Sequence, residues 1–197
     1  MENPLEAIAL EGGWLCLDFI NTVSSRRPAL GEEYLRSWAD FKIWVKRVEL
    51  LPEAERLLWD RLPAGNIEEV HALREALYAL FEHFIRTGAL HPGHLDTFNA
   101  LLHEVYPHTR LCSTAEGLRR GVEEAPHPEK PQWLLALSAE ALLLSGRLPR
   151  VKACDNCGWL FLDTSKNGAR RWCNMQTCGS QIKAKAYYHR KKDLINP

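Results

Sequence analysis

Two close pairs among the six cysteines constrain this 197-residue chain more than any other feature. Cys154 and Cys157 are separated by two residues, fifteen residues then intervene, and Cys173 and Cys178 are separated by four. These gaps fall within the ligand spacing of structural zinc sites. A CxxC turn aims both sulfurs at one point about 2.3 Å away, and a second pair from elsewhere completes a tetrahedron. Gly158, directly after the first pair, relaxes that turn. Four thiolates leave a zinc ion no open position, so the implied cofactor is one structural Zn2+ per chain, which supports folding rather than activating water. Trp159, Leu160, Phe161, Leu162, Trp172, Ile182 and Tyr187 are the main apolar side chains there, and domains of about forty residues usually need a metal or disulfides. A redox CxxC is the competing reading, but such motifs come as one pair beside a βαβ pattern, which is absent here. Cys16 and Cys112 lie outside the constellation and read as small buried hydrophobes.

The charge distribution divides the chain at about the same place. From Arg150 onward there are ten basic and three acidic side chains, a surplus of seven, while positions 1 to 149 carry fifteen basic and twenty-two acidic ones, a deficit of seven. Opposed halves suggest two jobs, and the expected domains are 1–149 and 150–197. The start of the chain lacks the pattern of a signal peptide, and no apolar stretch reaches the roughly 18 residues of a membrane span. A cytoplasmic protein without a membrane partner is the expectation. It fits six reduced cysteines, four of them placed for metal binding, rather than cross-links.

The first three quarters read as helical. Ser37 and Asp40 have capping-box spacing ahead of Trp38, Phe41, Val45 and Val48, which predicts a helix from Trp38 to Glu49. Pro52 opens another. Asn66 and Glu69 repeat the capping pattern before Val70, Leu73, Leu77, Leu80, Phe81 and Phe84, the stripe of a long amphipathic helix ending near Gly88. Pro92 starts a further helix limited by Pro107. The segment from Gln132 to Ser145 is apolar nearly all round, as in the middle of a bundle, and Gly146 and Pro149 stop it. Trp14 to Val23 fits strand and helix patterns, with helix favoured. From Thr109 to Glu124 the helical period lapses, and a short hairpin is expected with Leu111 and Val122 facing inward. The fold class is therefore mainly α: a helical N-terminal domain with a short β-hairpin, followed by a small four-cysteine zinc domain built from a hairpin and a helix.

Arg170, Arg171, Lys183, Lys185, Arg190, Lys191 and Lys192 make the zinc domain basic, and a helix from Ser180 onward would carry several of them. Such a surface suits phosphate neutralisation, so DNA is the expected partner. The same charges also suit docking on an acidic protein surface, and a protein-interaction module with a purely structural zinc finger stays open as the alternative.

The string CxxCGWLFLDTSKNGARRWCNMQTCG, from Cys154 to Gly179, resembles the CGNR-type zinc finger of bacterial transcription regulators. Ahead of it, LDFINT (Leu17 to Thr22), LREAL (Leu73 to Leu77) and FNALL (Phe98 to Leu102) resemble segments of the ABATE domain, a family named for stress-induced transcription regulation. The resemblance implies a DNA-contacting finger and a helical domain that senses a small molecule or forms a homodimer, with Asp18, Asn21 and Arg74 around a pocket. The residues alone read more simply as an Asp18–Arg74 ion pair with Asn21 bonded to backbone. One departure falls on the signature, where Cys178-Gly179-Ser180-Gln181 replaces Cys-Gly-Asn-Arg. Gln181 keeps the capacity for a bidentate contact to adenine, and Ser180 can cap the following helix. No nucleophile elbow, phosphate loop or HExxH accompanies these features, so the chain is expected not to be an enzyme. His91 and His94, on either side of Pro92 and Gly93, are a poor start for a metal site.

Overall fold

The structure, a computed structural model, describes residues 4–114, 117–123 and 125–184. Its longest helix, α5 (Ile67–Thr87), begins where the Asn66 side chain accepts from the Glu68 N–H at 2.9 Å and ends at Gly88 in the left-handed region, φ 77°. Val70, Leu73, Leu77, Leu80 and Phe81 form its buried stripe. Around it pack α2 (Leu15–Ile20), α6 (Pro92–Val105) and α7 (Lys130–Leu144). The apolar α7 is buried on most of its circumference, as its composition predicts. It begins two residues ahead of Gln132, with Pro131 in its first turn. Ser138 ties it to α2, accepting from the Trp14 indole through its carbonyl (2.9 Å) and from Cys16 N–H through its hydroxyl (3.1 Å).

The short α1 (Pro4–Ala7) packs on α3 (Trp38–Arg47), which Ser37 caps by accepting from Asp40 N–H at 3.2 Å. Beyond it lies α4 (Glu53–Trp59). Phe19, Trp38, Phe41, Trp44 and Trp59 form one aromatic cluster, with Phe41 and Trp44 stacked at 6.2 Å. Trp133 is also buried, so these tryptophans serve the core. Strands β1 (Thr109–Thr114) and β2 (Gly117–Val122) form the expected hairpin, but only half of its expected inward pair is inside. Val122, paired with Thr109 at the base, is buried against α7, whereas Leu111 is 71 % exposed. Both lie on one face, but only the base of the hairpin, at Val122, is buried against the helices.

The core does not stop where the charge pattern changes. Strand β3 (Val151–Ala153) pairs antiparallel with β4 (Leu160–Leu162), and Val151, Leu160 and Leu162 belong to the same hydrophobic core as the helices. All three β4 residues are buried because successive side chains point to opposite faces. Leu160 and Leu162 face the helices, and Phe161 packs with the cysteines. Trp159 also turns toward the helices, and its indole donates to the Val23 carbonyl at 2.7 Å. The apolar set expected to pack the zinc region is therefore divided: Phe161 and Trp172 pack with the cysteines, Trp159 touches both interiors, and Tyr187 lies outside the described residues.

Asn21 fixes this docking. Its Nδ2 donates to the Leu160 carbonyl at 2.8 Å and its Oδ1 accepts from the Leu160 N–H at 2.9 Å, both within a buried environment. Leu162 N–H donates to the Gly12 carbonyl at 2.8 Å. Substituting Asn21→Ala strands a buried donor and a buried acceptor, so the expected cost is about 2–4 kcal/mol. Urea denaturation with an unchanged m-value measures it, and a loss below about 0.5 kcal/mol would show that packing alone seats the strand.

Candidate metal centre

The first cysteine pair sits at the tip of the β3–β4 hairpin. Cys154 N–H donates to the Trp159 carbonyl at 2.8 Å, and Gly158 N–H donates to the Cys154 carbonyl at 2.9 Å. Gly158 has φ 75°, and a Cβ there would lie 2.9 Å from Arg26 Cβ. Glycine is needed both for the turn and for the approach of the 26–27 backbone, whose Arg26 N–H donates to the Cys157 carbonyl at 2.6 Å.

The second pair is positioned by a wide helical turn, Met175–Gly179, in which Gly179 N–H reaches the Asn174 carbonyl at 3.1 Å. Asn174 caps it, its Oδ1 accepting from Gln176 and Thr177 N–H, while its Nδ2 donates to Glu11 at 2.6 Å. A regular helix continues from Ser180 to residue 184 within the described chain. Ser180, expected as the helix cap, instead donates its hydroxyl to the Met175 carbonyl at 3.2 Å.

Cys157 and Cys173 sulfurs lie 3.7 Å apart, as do those of Cys173 and Cys178, and all four ligand atoms fall within 4.8 Å of one another. Tetrahedral zinc at about 2.3 Å from each sulfur requires edges of about 3.8 Å, whereas a disulfide requires about 2.05 Å. The donor set therefore fits zinc, and the four cysteines are positioned to bind it. The thiols' mutual influence points the same way. Hydrogen bonds from Cys157 and Cys173 hold the Cys154 thiol far below its ordinary value, while Cys154 pushes Cys157 up to about 12 and Cys173 higher still. Sulfurs this close cannot all ionise without a compensating cation, which zinc supplies. Among the described residues this is the one group whose metal-ligand atoms converge. His83 joins His91 and His94 with ring centroids 4.9–5.5 Å apart, but their nitrogens do not form such a group.

Several expected DNA contacts have internal partners. Arg170 lies over the Phe161 ring at 4.7 Å, donates Nε to the Trp172 carbonyl at 3.0 Å and Nη2 to the Cys173 carbonyl, and pairs with Glu11 at 3.4 Å. Arg171 is exposed and pairs with Asp155 at 2.7 Å. Gln181 accepts from Asn156 in the CxxC turn at 2.8 Å, and Lys183 is exposed. Lys185, Arg190, Lys191 and Lys192 lie outside the described residues.

The charge reading missed Asp163, which organises the loop between the cysteine pairs. It accepts from Lys152 (2.8 Å), from the Ser165 N–H and hydroxyl, and from Arg170 N–H (3.0 Å). Burial opposes its ionisation, but Lys152 and the Ser165 and Arg170 donors outweigh it and hold the carboxyl well below the usual range. Asp-x-Ser is the local signal of such a side-chain-stabilised turn.

Asp18, Asn21 and Arg74 do not converge on one cavity. Arg74 pairs with Glu33 and with Glu75 (2.9 Å), and also donates to Thr22 Oγ1 at 3.1 Å. Asp18 accepts from the Gly12 N–H at 2.8 Å, so the expected Asp18–Arg74 ion pair is replaced by separate partners. Asn21 bonds backbone, as residue type alone suggests. Burial pushes the Asp18 carboxyl up to about 6, with the Gly12 N–H opposing.

A helical bundle whose core runs into a four-thiolate zinc site defines a zinc-finger protein with a large helical partner domain. Comparison with family models places it: residues 13–146 match ABATE, described as "Putative stress-induced transcription regulator", and residues 150–191 match the CGNR zinc finger. The chain belongs to the ABATE family and carries a CGNR-type finger. No curated protein matches it. No described helix is long and apolar enough to cross a membrane.

Elemental analysis is expected to find one zinc per chain, lost in Cys173→Ser. Because β4 serves both sides, removing zinc with a chelator should also lower amide hydrogen-exchange protection at Leu160 and Leu162. Protection unchanged in zinc-free protein would mean the helical core alone holds that strand. For Asp18 the folded-state pKa of about 6 exceeds the unfolded value of about 3.9, so stability falls as pH rises between them. Asp18→Asn should remove that fall and be more stable than wild type by about 1–2 kcal/mol at pH 8 but not at pH 3, as read by urea unfolding.

Proposed function

We propose that the chain is a non-catalytic, DNA-binding transcription regulator, in which the zinc site presents the helix beginning at Ser180 to duplex DNA. The observation that carries this reading is the helix start itself. Gln181 and Lys183 are exposed directly after the ligand Cys178, and Lys185, Arg190, Lys191 and Lys192 follow in sequence. Zinc fixes the direction of that helix, and its cations neutralise phosphates. Arg150, Lys152 and Arg170 are engaged inside the fold and Arg171 faces Asp155, so the interface is assigned to Lys183 and the basic segment after it. The helical domain is the ligand- or partner-sensing part of this regulator.

Titration of zinc-loaded full-length protein with duplex DNA tests the reading. Affinity should fall at least about 10-fold between 50 and 200 mM salt, and Lys183→Ala should weaken binding while reducing the salt slope by about 1. Arg170→Ala should instead lower thermal stability. Absence of binding at 50 mM salt would refute DNA recognition and turn the search to an acidic protein surface.

A further inference from the structure

Three helices leave a cleft of about 380 Å³ between them on the far side of α5 from the zinc region's docking loop, within the size range of small-molecule sites. One stripe from each helix lines it. Ala72 and Ala76 of α5, Leu101 and Val105 of α6, and Trp133 and Ala136 of α7 make an apolar floor, widened by the three alanines.

Its polar groups are unusual for a merely structural surface. Gln132 is only 8 % exposed on a mostly apolar helix, and its Oε1 has no hydrogen-bond partner among the described residues. Leaving a buried acceptor unmatched is unfavourable, and a leucine there would avoid it. Every charged lining residue is a carboxylate: Glu69, Glu104 and Glu129. Glu69, in the first turn of α5, and Glu129, at the N-cap of α7, suit the helix dipole. Glu104 does not, since it lies in the last turn of α6, where a negative charge is disfavoured. Neither Glu104 nor Glu129 has an ion-pair partner among the described residues.

We propose that this cleft binds a small cationic amphiphile, an apolar ring body on the alanine-lined floor with an ammonium or amidinium head that sits beside Gln132 and faces the glutamate rim. An anion is excluded by the three carboxylates, and a fully polar cation gains nothing from the floor. The site goes beyond the DNA-binding reading and does not depend on it, because no finger residue lines it.

The test is calorimetric titration of zinc-loaded full-length protein with 2-naphthylmethylamine, and separately with 2-naphthoate, which has a similar ring system and the opposite charge. The amine is expected to bind with a dissociation constant between about 0.05 and 2 mM, and at least about 10-fold more tightly than the carboxylate. Glu104 is exposed, so Glu104→Gln leaves the fold intact, and it should weaken the amine by about 3- to 10-fold with no loss for the carboxylate. Ala76→Phe, which fills the floor, should abolish amine binding. Equal affinity for the two probes, no amine binding at 5 mM, or amine binding that survives both substitutions would overturn the proposal. DNA titration of the same protein is a separate readout, so failure of one assignment leaves the other to stand.

Discussion

Strand β4 is the element on which both parts of the molecule depend. Its three residues alternate between two interiors, Leu160 and Leu162 in the helical core and Phe161 among the zinc cysteines, and Asn21 saturates the backbone of its first residue. Most small zinc fingers derive their stability from the metal alone because they bury little apolar surface. Here one face of the hairpin is buried by the helices of the preceding domain. The metal organises the side of the strand those helices do not reach, and neither interior is complete without the other.

A second layer of support comes from buried charge. The loop that accepts the CxxC turn is held from beneath by Arg26, which pairs with Glu75 at 2.5 Å and donates to the Ile20 carbonyl at 2.9 Å, and by Arg74 between Glu75 and Glu33. Two guanidiniums and two carboxylates alternate, so no buried charge is left alone, the condition under which such a network is tolerable. Burial opposes ionisation of Glu33 and Glu75, and the arginines outweigh it and lower both. Helix α5 supplies Arg74 and Glu75 to this network and Ala72 and Ala76 to the cleft. One rigid element thus touches the proposed ligand and the loop bonded to Cys157.

The surplus of seven positive charges from Arg150 onward is not a uniformly free surface. Lys152 donates to Asp163 and to two loop carbonyls, Arg150 to the Asp163 and Ser165 carbonyls, and Arg170 to the carbonyls around Cys173. A loop that crosses between the cysteine pairs without regular structure must satisfy its carbonyls with side-chain donors, and long basic side chains do so here. Among the described residues after Arg150, Lys166 and Lys183 are exposed and tied to no such carbonyl.

The zinc ligands are legible in the sequence because ligand identity is a local matter: CxxC and CxxxxC spacing sets how sulfurs leave a turn, whatever surrounds them. The helices α3, α5 and α6 are legible for a similar reason, since capping residues and the 3.6-residue period act within a few turns. Leu111 departs from its expected burial because alternation says which residues share a face but not how far the core reaches along it. The pairing of Asn21 with Leu160 and of Glu11 with Asn174 and Arg170 has no sequence signal, because these partners are more than a hundred residues apart. The sequence by itself therefore determined the metal, its four ligands and a mainly helical chain. Only the tertiary structure decided that the zinc hairpin shares its core with the helices and which cations stay free, because burial and hydrogen-bond partners belong to residues distant in the chain.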